Sequence, residues 1–120
     1  MFGISLDNKS PIHEQLTVRI TELVLSGVLE RGSALPSVRE LASDLGINPN
    51  TVQRAYGELE RRGITYSVTG KGRFVTEDVE SARENKAKED LLCLKKEIEK
   101  ALLSGVKKSD ILKMVEEMEE

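Results

Sequence analysis

Between Pro36 and Gly63 the chain reads PSVRELASDLGINPNTVQRAYGELERRG, and the punctuation of this stretch leaves little freedom of fold. Ser37 followed by Glu40 is the pattern of a capping box, in which each side chain satisfies a free backbone N–H in the first turn of a helix. Val38, Leu41, Ala42 and Leu45 then recur at helical spacing and form one inward face. Gly46 stops that helix, because glycine takes positive φ without a Cβ clash. Ile47 is the buried plug of the turn, and Asn48-Pro49 restarts the chain as cap and first helical residue. Val52, Ala55, Tyr56 and Leu59 supply the inward face of a second helix, which closes at Gly63. Small Ala42 permits close approach of the two helices, Gly46 makes the turn four residues later, and Val52 packs back six beyond that. This spacing predicts a helix-turn-helix; the alternative is an ordinary helical hairpin.

The next fourteen residues, ITYSVTGKGRFVTE, change period. Thr65-Tyr66-Ser67-Val68 has strand composition, Thr69-Gly70-Lys71-Gly72 is a turn, and Arg73-Phe74-Val75-Thr76 is a second strand. A β-hairpin directly after the second helix of a helix-turn-helix is a wing. Gly70 and Gly72 let its backbone come close to a partner, while Lys71 and Arg73 bring positive charge. The lone GxG is not a nucleotide-binding loop, since no strand-GxGxxG-helix context surrounds it.

The flanks are helical. Residues 1–10 carry little pattern and are read as an extended arm. Ser10-Pro11 signals a helix start, with Ser10 as cap and Pro11 at the first helical position. Ile12, Leu16, Ile20, Leu23 and Val24 define the buried face of that helix up to Ser26-Gly27. Residues 28–36 form a loop that delivers Leu35 and Pro36 to the next helix. From Asp78 the composition turns to Glu, Lys and Ala, opening a long helix in which Ala87, Leu91, Leu94, Ile98 and Ala101 recur at spacings of 4, 3, 4 and 3, with Leu92 and Leu102 widening the stripe. That is the seam of a helix pair. Ser104-Gly105 breaks it, and Ser109 caps a last helix bearing Ile111, Leu112, Met114, Val115 and Met118. Two short amphipathic helices cannot bury both stripes alone. They fold against the head or against a second chain, and a homodimer is the favoured expectation. The fold class is mainly α with one small β-hairpin, divided into a head of residues 1–77 and a helical tail of residues 78–120.

Charge narrows the function. The net charge over 120 residues is −3, yet it is segregated: residues 31–76 hold seven basic and four acidic side chains, while residues 77–120 hold nine and thirteen. The positive block coincides with the helix-turn-helix and wing, as a nucleic-acid surface requires. Single Cys93 rules out an internal disulfide and suits a reducing cytoplasm. No apolar run is long enough to span a membrane and the N-terminus does not read as a signal peptide, so a cytoplasmic protein is expected. His13, the only histidine, has no partner ligands for a metal and is read as a surface or packing residue. There is no Cys/His pair, metal-ligand cluster, phosphate loop or nucleophile motif. Neither an enzyme nor a metal or cofactor is expected.

PIHEQL at the first helix, the approach from Gly32 to Pro36, LPSVRELASDLGINPNTVQRAYGELERRG and GKGRFV together closely resemble the N-terminal domain of the GntR family of bacterial transcription regulators. The resemblance implies a winged helix-turn-helix head that binds double-stranded DNA. The short two-helix tail is similar to that of the YtrA-like branch, and unlike the branches that append a ligand-binding or aminotransferase-like domain. The family's DNA contacts fall on Arg39, on Asn48, Pro49, Asn50, Thr51, Gln53 and Arg54, and at the wing tip on Thr69, Gly70 and Lys71. Other branches often carry basic residues where this chain has Pro49 and Gln53, so its sequence preference should differ.

The chemistry of the residues agrees with that placement. Arg39 and Arg54 suit phosphate or guanine, since a guanidinium fork matches both. The amides of Asn50 and Gln53 can pair with an adenine edge. Ser37 and Thr51, near helix N-termini, can hold phosphates through hydroxyls and free N–H groups. Lys71, with Arg73 beside it, would touch backbone or minor groove. A dimer of such heads predicts an inverted-repeat operator and repression by promoter occlusion. The alternative is a winged helix used as a protein-interaction module without specific DNA binding. The tail has little volume for a ligand pocket, so an unknown small-molecule effector would bind at the dimer interface, or there is none.

Overall fold

The computed structural model describes residues 2–119; Met1 and Glu120, the two ends of the expected head and tail, lie outside the described residues. The elements in order are α1 (Ile12–Leu25), α2 (Val38–Leu45), α3 (Pro49–Arg61), β1 (Thr65–Val68), β2 (Gly72–Val75), α4 (Val79–Leu103) and α5 (Lys108–Glu116). The chain divides into two compact units, Met1–Arg83 and Glu84–Glu120. Among the described residues, no helix is long and apolar enough to cross a membrane.

In the first unit α1 and α2 both pack against α3. Leu16, Ile20 and Val24 from α1, Leu41 and Ala42 from α2, and Val52, Ala55, Tyr56 and Leu59 from α3 form one buried cluster. The helical periodicities therefore pick out the faces that are buried. α1 differs from expectation at its start. Pro11, not Ser10, is the capping residue, at φ −55 and ψ 137, and its carbonyl accepts from the N–H groups of Glu14 and Gln15. A proline ring fixes φ near the value that either position needs, so the dipeptide alone does not choose between them. Thr17 and Thr21 are buried on α1, and each hydroxyl donates to the carbonyl one turn back, at 2.8 Å to His13 and 2.7 Å to Thr17. The local bond is what makes a buried threonine tolerable.

The turn between α2 and α3 forms as its residues predict. Gly46 sits at φ 67, in the left-handed region, and the N–H of Ile47 closes the turn onto Ala42 O at 3.0 Å. Ile47 itself is half-buried against the core. Asn48 caps α3, its Oδ1 accepting from Asn50 N at 2.8 Å, with Pro49 opening the helix. α3 ends at Arg61, and Ile64 N returns to Leu59 O at 2.9 Å, which brings Ile64 into the core.

Two segments read as irregular are more ordered than their sequence indicates. Phe2, Ile4 and Leu6 are half-buried against the core and alternate with exposed Gly3, Ser5 and Asp7. The arm is thus packed down by a period-two pattern, and Asp7 is tied to the Gln15 side chain through both its N–H and its carbonyl. The loop before α2 lines up along β2: Gly32 N donates to Val75 O, Val75 N to Ser33 O and Leu35 N to Arg73 O, all between 2.8 and 2.9 Å. Ala34 pairs antiparallel with Phe74. The segment acts as a short third strand, and this is how Leu35 is delivered to the core.

β1 and β2 pair antiparallel from Thr65↔Val75 to Val68↔Gly72, leaving Thr69, Gly70 and Lys71 as the turn. Gly72 is in the strand and not the turn. Its φ of 114 is a conformation a side chain would strain, and it lets the ladder close opposite Val68. Tyr66 and Phe74 stack across the pair with ring centroids 5.6 Å apart.

The first turn of α4 belongs to the first unit. Val79 and Ala82 are buried there, Asp78 Oδ1 accepts from Ser81 N at 3.1 Å, and Arg83 donates to Leu25 O at 2.6 Å. Arg31 and Glu80 form an exposed ion pair at 3.4 Å. In the second unit α4 runs on to Leu103, and Gly105, at φ 98, breaks the helix before α5. Ser109 does not cap α5. The cap is Lys107, which makes no side-chain cap hydrogen bond, and Ser109 lies inside the helix. Val106 N already bonds Ala101 O at 3.1 Å, so the chain is set to re-enter a helix before it reaches the serine.

Candidate nucleic-acid interface

α3 buries Val52, Ala55, Tyr56 and Leu59, and the helical repeat turns Asn50, Gln53, Arg54 and Arg61 to the opposite, exposed side. Two amides and two guanidinium groups therefore share one face. Asn48 is exposed, but its Oδ1 is engaged in the cap. Pro49 is exposed in the first turn, and Thr51 is half-buried. Arg54 also borders a cleft of about 420 Å³ between α1 and α3, lined by His13, Thr17, Glu58, Arg61 and Arg62 among others. Glu58 holds ion pairs with both Arg61 and Arg62, so those two cations are partly neutralised where they stand.

Arg39 is exposed in the first turn of α2. Ser37 is exposed as the cap, its Oγ accepting from Glu40 N at 3.1 Å. Among the described residues, that is the half of the capping box that forms. Thr69, Gly70 and Lys71 are all exposed at the wing tip, where Lys71 N closes the turn onto Val68 O at 2.9 Å.

Arg73 stands apart from the other candidates. It is half-buried, its guanidinium carbon lies 5.2 Å from the Tyr56 ring centroid, and its Nη1 is buried without a hydrogen-bond partner among the described residues. Tyr56 is itself fully buried, and its hydroxyl donates to Pro36 O at 2.8 Å. Burial pushes that hydroxyl above its ordinary range, against the pull of the Arg73 cation, so it stays a donor. β2, α3 and the approach to α2 are thereby tied through one tyrosine. Sequence reading takes Tyr56 only as an apolar position and Arg73 only as wing charge. They lie seventeen positions apart, and no local pattern announces the pair.

In the second unit the expected seam lies on one helix, α4. Ala87, Leu91, Leu94 and Leu102 are exposed, while Ile98 and Ala101 are half-buried. Leu91 is 68% exposed and Leu94 52%, well beyond what a leucine shows when its face is covered.

A helix-turn-helix followed at once by a two-stranded hairpin, with amides and cations on the outer face of the second helix, defines the winged helix-turn-helix class. The model of the family described as bacterial regulatory proteins, gntR family, matches residues 12–75, and the chain belongs to that family. It is 43% identical over 81 residues to the HTH-type transcriptional repressor YtrA of Bacillus subtilis, a match covering 68% of this chain and 62% of that protein. The chain thus spans about three fifths of the length of that relative. Among solved structures, a GntR family transcriptional regulator from Listeria monocytogenes superposes with a TM-score of 0.73 at 35% identity, covering 95% of this chain and 100% of the other. The DNA-binding domain of AraR in complex with the operator ORE1 superposes with a TM-score of 0.54 at 27% identity, over 61% of this chain and 89% of that one.

Proposed function

We propose that this chain is a sequence-specific DNA-binding transcription regulator: a cytoplasmic, homodimeric repressor that recognises an inverted-repeat operator. The observation that carries this reading is the outer face of α3, where Asn50, Gln53 and Arg54 are free of the core and exposed. These are the side-chain types that read base edges in a major groove. Arg39 at the start of α2 and Lys71 at the wing tip add cations on either side in sequence, suited to phosphates. The operator complex of the related AraR domain supports the same use of the fold. The exposed leucines of α4 support pairing with a second copy, which would place two heads on one duplex. An open apolar groove of about 750 Å³ runs along Leu91, Leu94 and Ile98 of α4, and a small-molecule effector would bind there, at the interface between copies.

Selection of bound sites from random duplex DNA tests the reading directly. The expected product is an inverted repeat with half-sites about one helical turn apart, bound with an affinity that falls as salt rises. Recovery of no enriched sequence would show a winged helix used for another purpose, such as docking to a protein.

A further inference from the structure

Gly57 is a glycine with no reason inside the chain. It is the ninth of thirteen residues in α3, so it serves neither cap nor turn. Its φ lies outside the left-handed region, and a Cβ built there meets nothing within 4 Å. Gly46 and Gly63 differ, since they end helices at φ 67 and 73. A glycine inside a helix is destabilising, because it has more conformational freedom to lose than alanine. Neither strain nor packing offsets that loss within the monomer.

Its position on the helix shows where an offset can lie. Gly57 follows Arg54 by three residues, Gln53 by four and Asn50 by seven, and precedes Arg61 by four. Residues three and four apart are neighbours on a helix surface, so Gly57 is the floor of a notch walled by Gln53, Arg54, Glu60 and Arg61. At a rise of 1.5 Å per residue it lies about 10 Å along the axis from Asn50. The major groove is about 12 Å wide, so a helix whose first turn reaches base edges brings its third turn to the groove wall.

We propose that Gly57 is the close-approach point of α3, where the missing side chain lets the helix seat against the sugar-phosphate wall of the major groove. The inference rests on the DNA-binding reading above and adds a determinant of depth to it. Asn50, Gln53 and Arg54 reach the base edges only if nothing holds the helix off the duplex. Hydrogen bonds tolerate a displacement of only a few tenths of an ångström, so a side chain at position 57 would weaken several contacts at once.

The test is a size series, Gly57→Ala, Gly57→Ser and Gly57→Gln, in the full chain. Thermal unfolding is measured beside affinity for the duplex that the wild-type protein selects from random DNA. Tm is expected to rise, by roughly 3–6 °C for Gly57→Ala, because the helix gains propensity. Kd is expected to weaken with size, reaching about 10- to 100-fold for Gly57→Gln. Unchanged affinity across folded variants overturns the close-approach role while leaving DNA binding intact. Loss of affinity together with a lowered Tm marks a glycine needed for folding and equally overturns it. A wild-type protein that selects no sequence overturns the DNA-binding reading, and the role of Gly57 with it.

Discussion

Tyr56 is the residue on which most of the head converges. Its ring lies in the core of α3, its hydroxyl fixes Pro36 at the approach to α2, and Arg73 of β2 rests over its face. Tyr56→Phe keeps the ring and leaves Pro36 O without its donor. Thermal or denaturant unfolding should show a loss of about 1 kcal/mol, the usual cost of one hydrogen bond whose partner stays partly buried. Stability equal to wild type would mean that solvent replaces the tyrosine there. Arg39 is different: it is exposed, so its removal leaves the fold alone. If it touches DNA as proposed, Arg39→Ala lowers operator affinity by about 1–3 kcal/mol in a gel shift, with the unfolding curve unchanged. A folded Arg39→Ala protein that binds as tightly as wild type would remove it from the contact set.

At the scale of elements, three helix starts are satisfied by side-chain caps. Ser37, Asn48 and Asp78 cap α2, α3 and α4 through side-chain oxygens accepting from free N–H groups. Asp78 alone of these titrates. The Ser81 N–H and hydroxyl hold its carboxyl below the ordinary value of 3.8, with Arg31 adding to the effect. Because the folded pKa is the lower one, its stabilisation is fully present above about pH 4 and is lost as the pH falls through the folded pKa. Asn keeps the capping oxygen and cannot titrate. Asp78→Asn should therefore show a shallower fall in Tm between pH 5 and pH 2 than the wild-type protein. Identical profiles would show that the cap charge contributes nothing to acid stability. Glycine marks the other ends: Gly46, Gly63 and Gly105 all take left-handed φ where α2, α3 and α4 stop.

Over the whole molecule, the two units differ in how completely they bury their apolar residues. The first holds a closed cluster that includes Tyr56 and residues from four helices, with Ile64 beside β1 and Val75 of β2. The second leaves Leu91, Leu92, Leu94, Leu112, Met114 and Val115 exposed. In the proposed homodimer the α4 strip supplies the contact, and Leu94→Asp would put a charge in it. Removing that charge from water unpaired is costly, so the variant should sediment as a monomer with its far-ultraviolet circular dichroism retained. Sedimentation as a dimer like the wild type would rule out this seam.

The helix-turn-helix and wing were legible in the chain because their signals are local. Gly46, Asn48-Pro49 and Gly63 act through their own backbone, and period 3.6 or period 2 shows which side of an element is apolar. Asn50, Gln53 and Arg54 were named from their chemistry and from the family resemblance, and the burial of α3's other side is what shows them on one exposed face. Where signals compete over one or two residues, sequence alone decides less well. Ser10 yields the cap of α1 to Pro11, and Ser109 is taken inside α5 because the turn at Gly105 ends early enough for the helix to begin before it. The alternation of Phe2, Ile4 and Leu6 was available to be read, but a strand-like period says nothing until a surface exists for it to cover. What only the tertiary structure decided is long-range: the pairing of residues 32–35 with β2, the inward turn of Arg73 onto Tyr56, and the docking of Val79 and Ala82 in the first unit. Each joins segments distant in sequence, and their energy comes from surfaces that exist only once the chain has folded. A residue's conformation is set by its neighbours along the chain, whereas its partner is set by the packing of the whole.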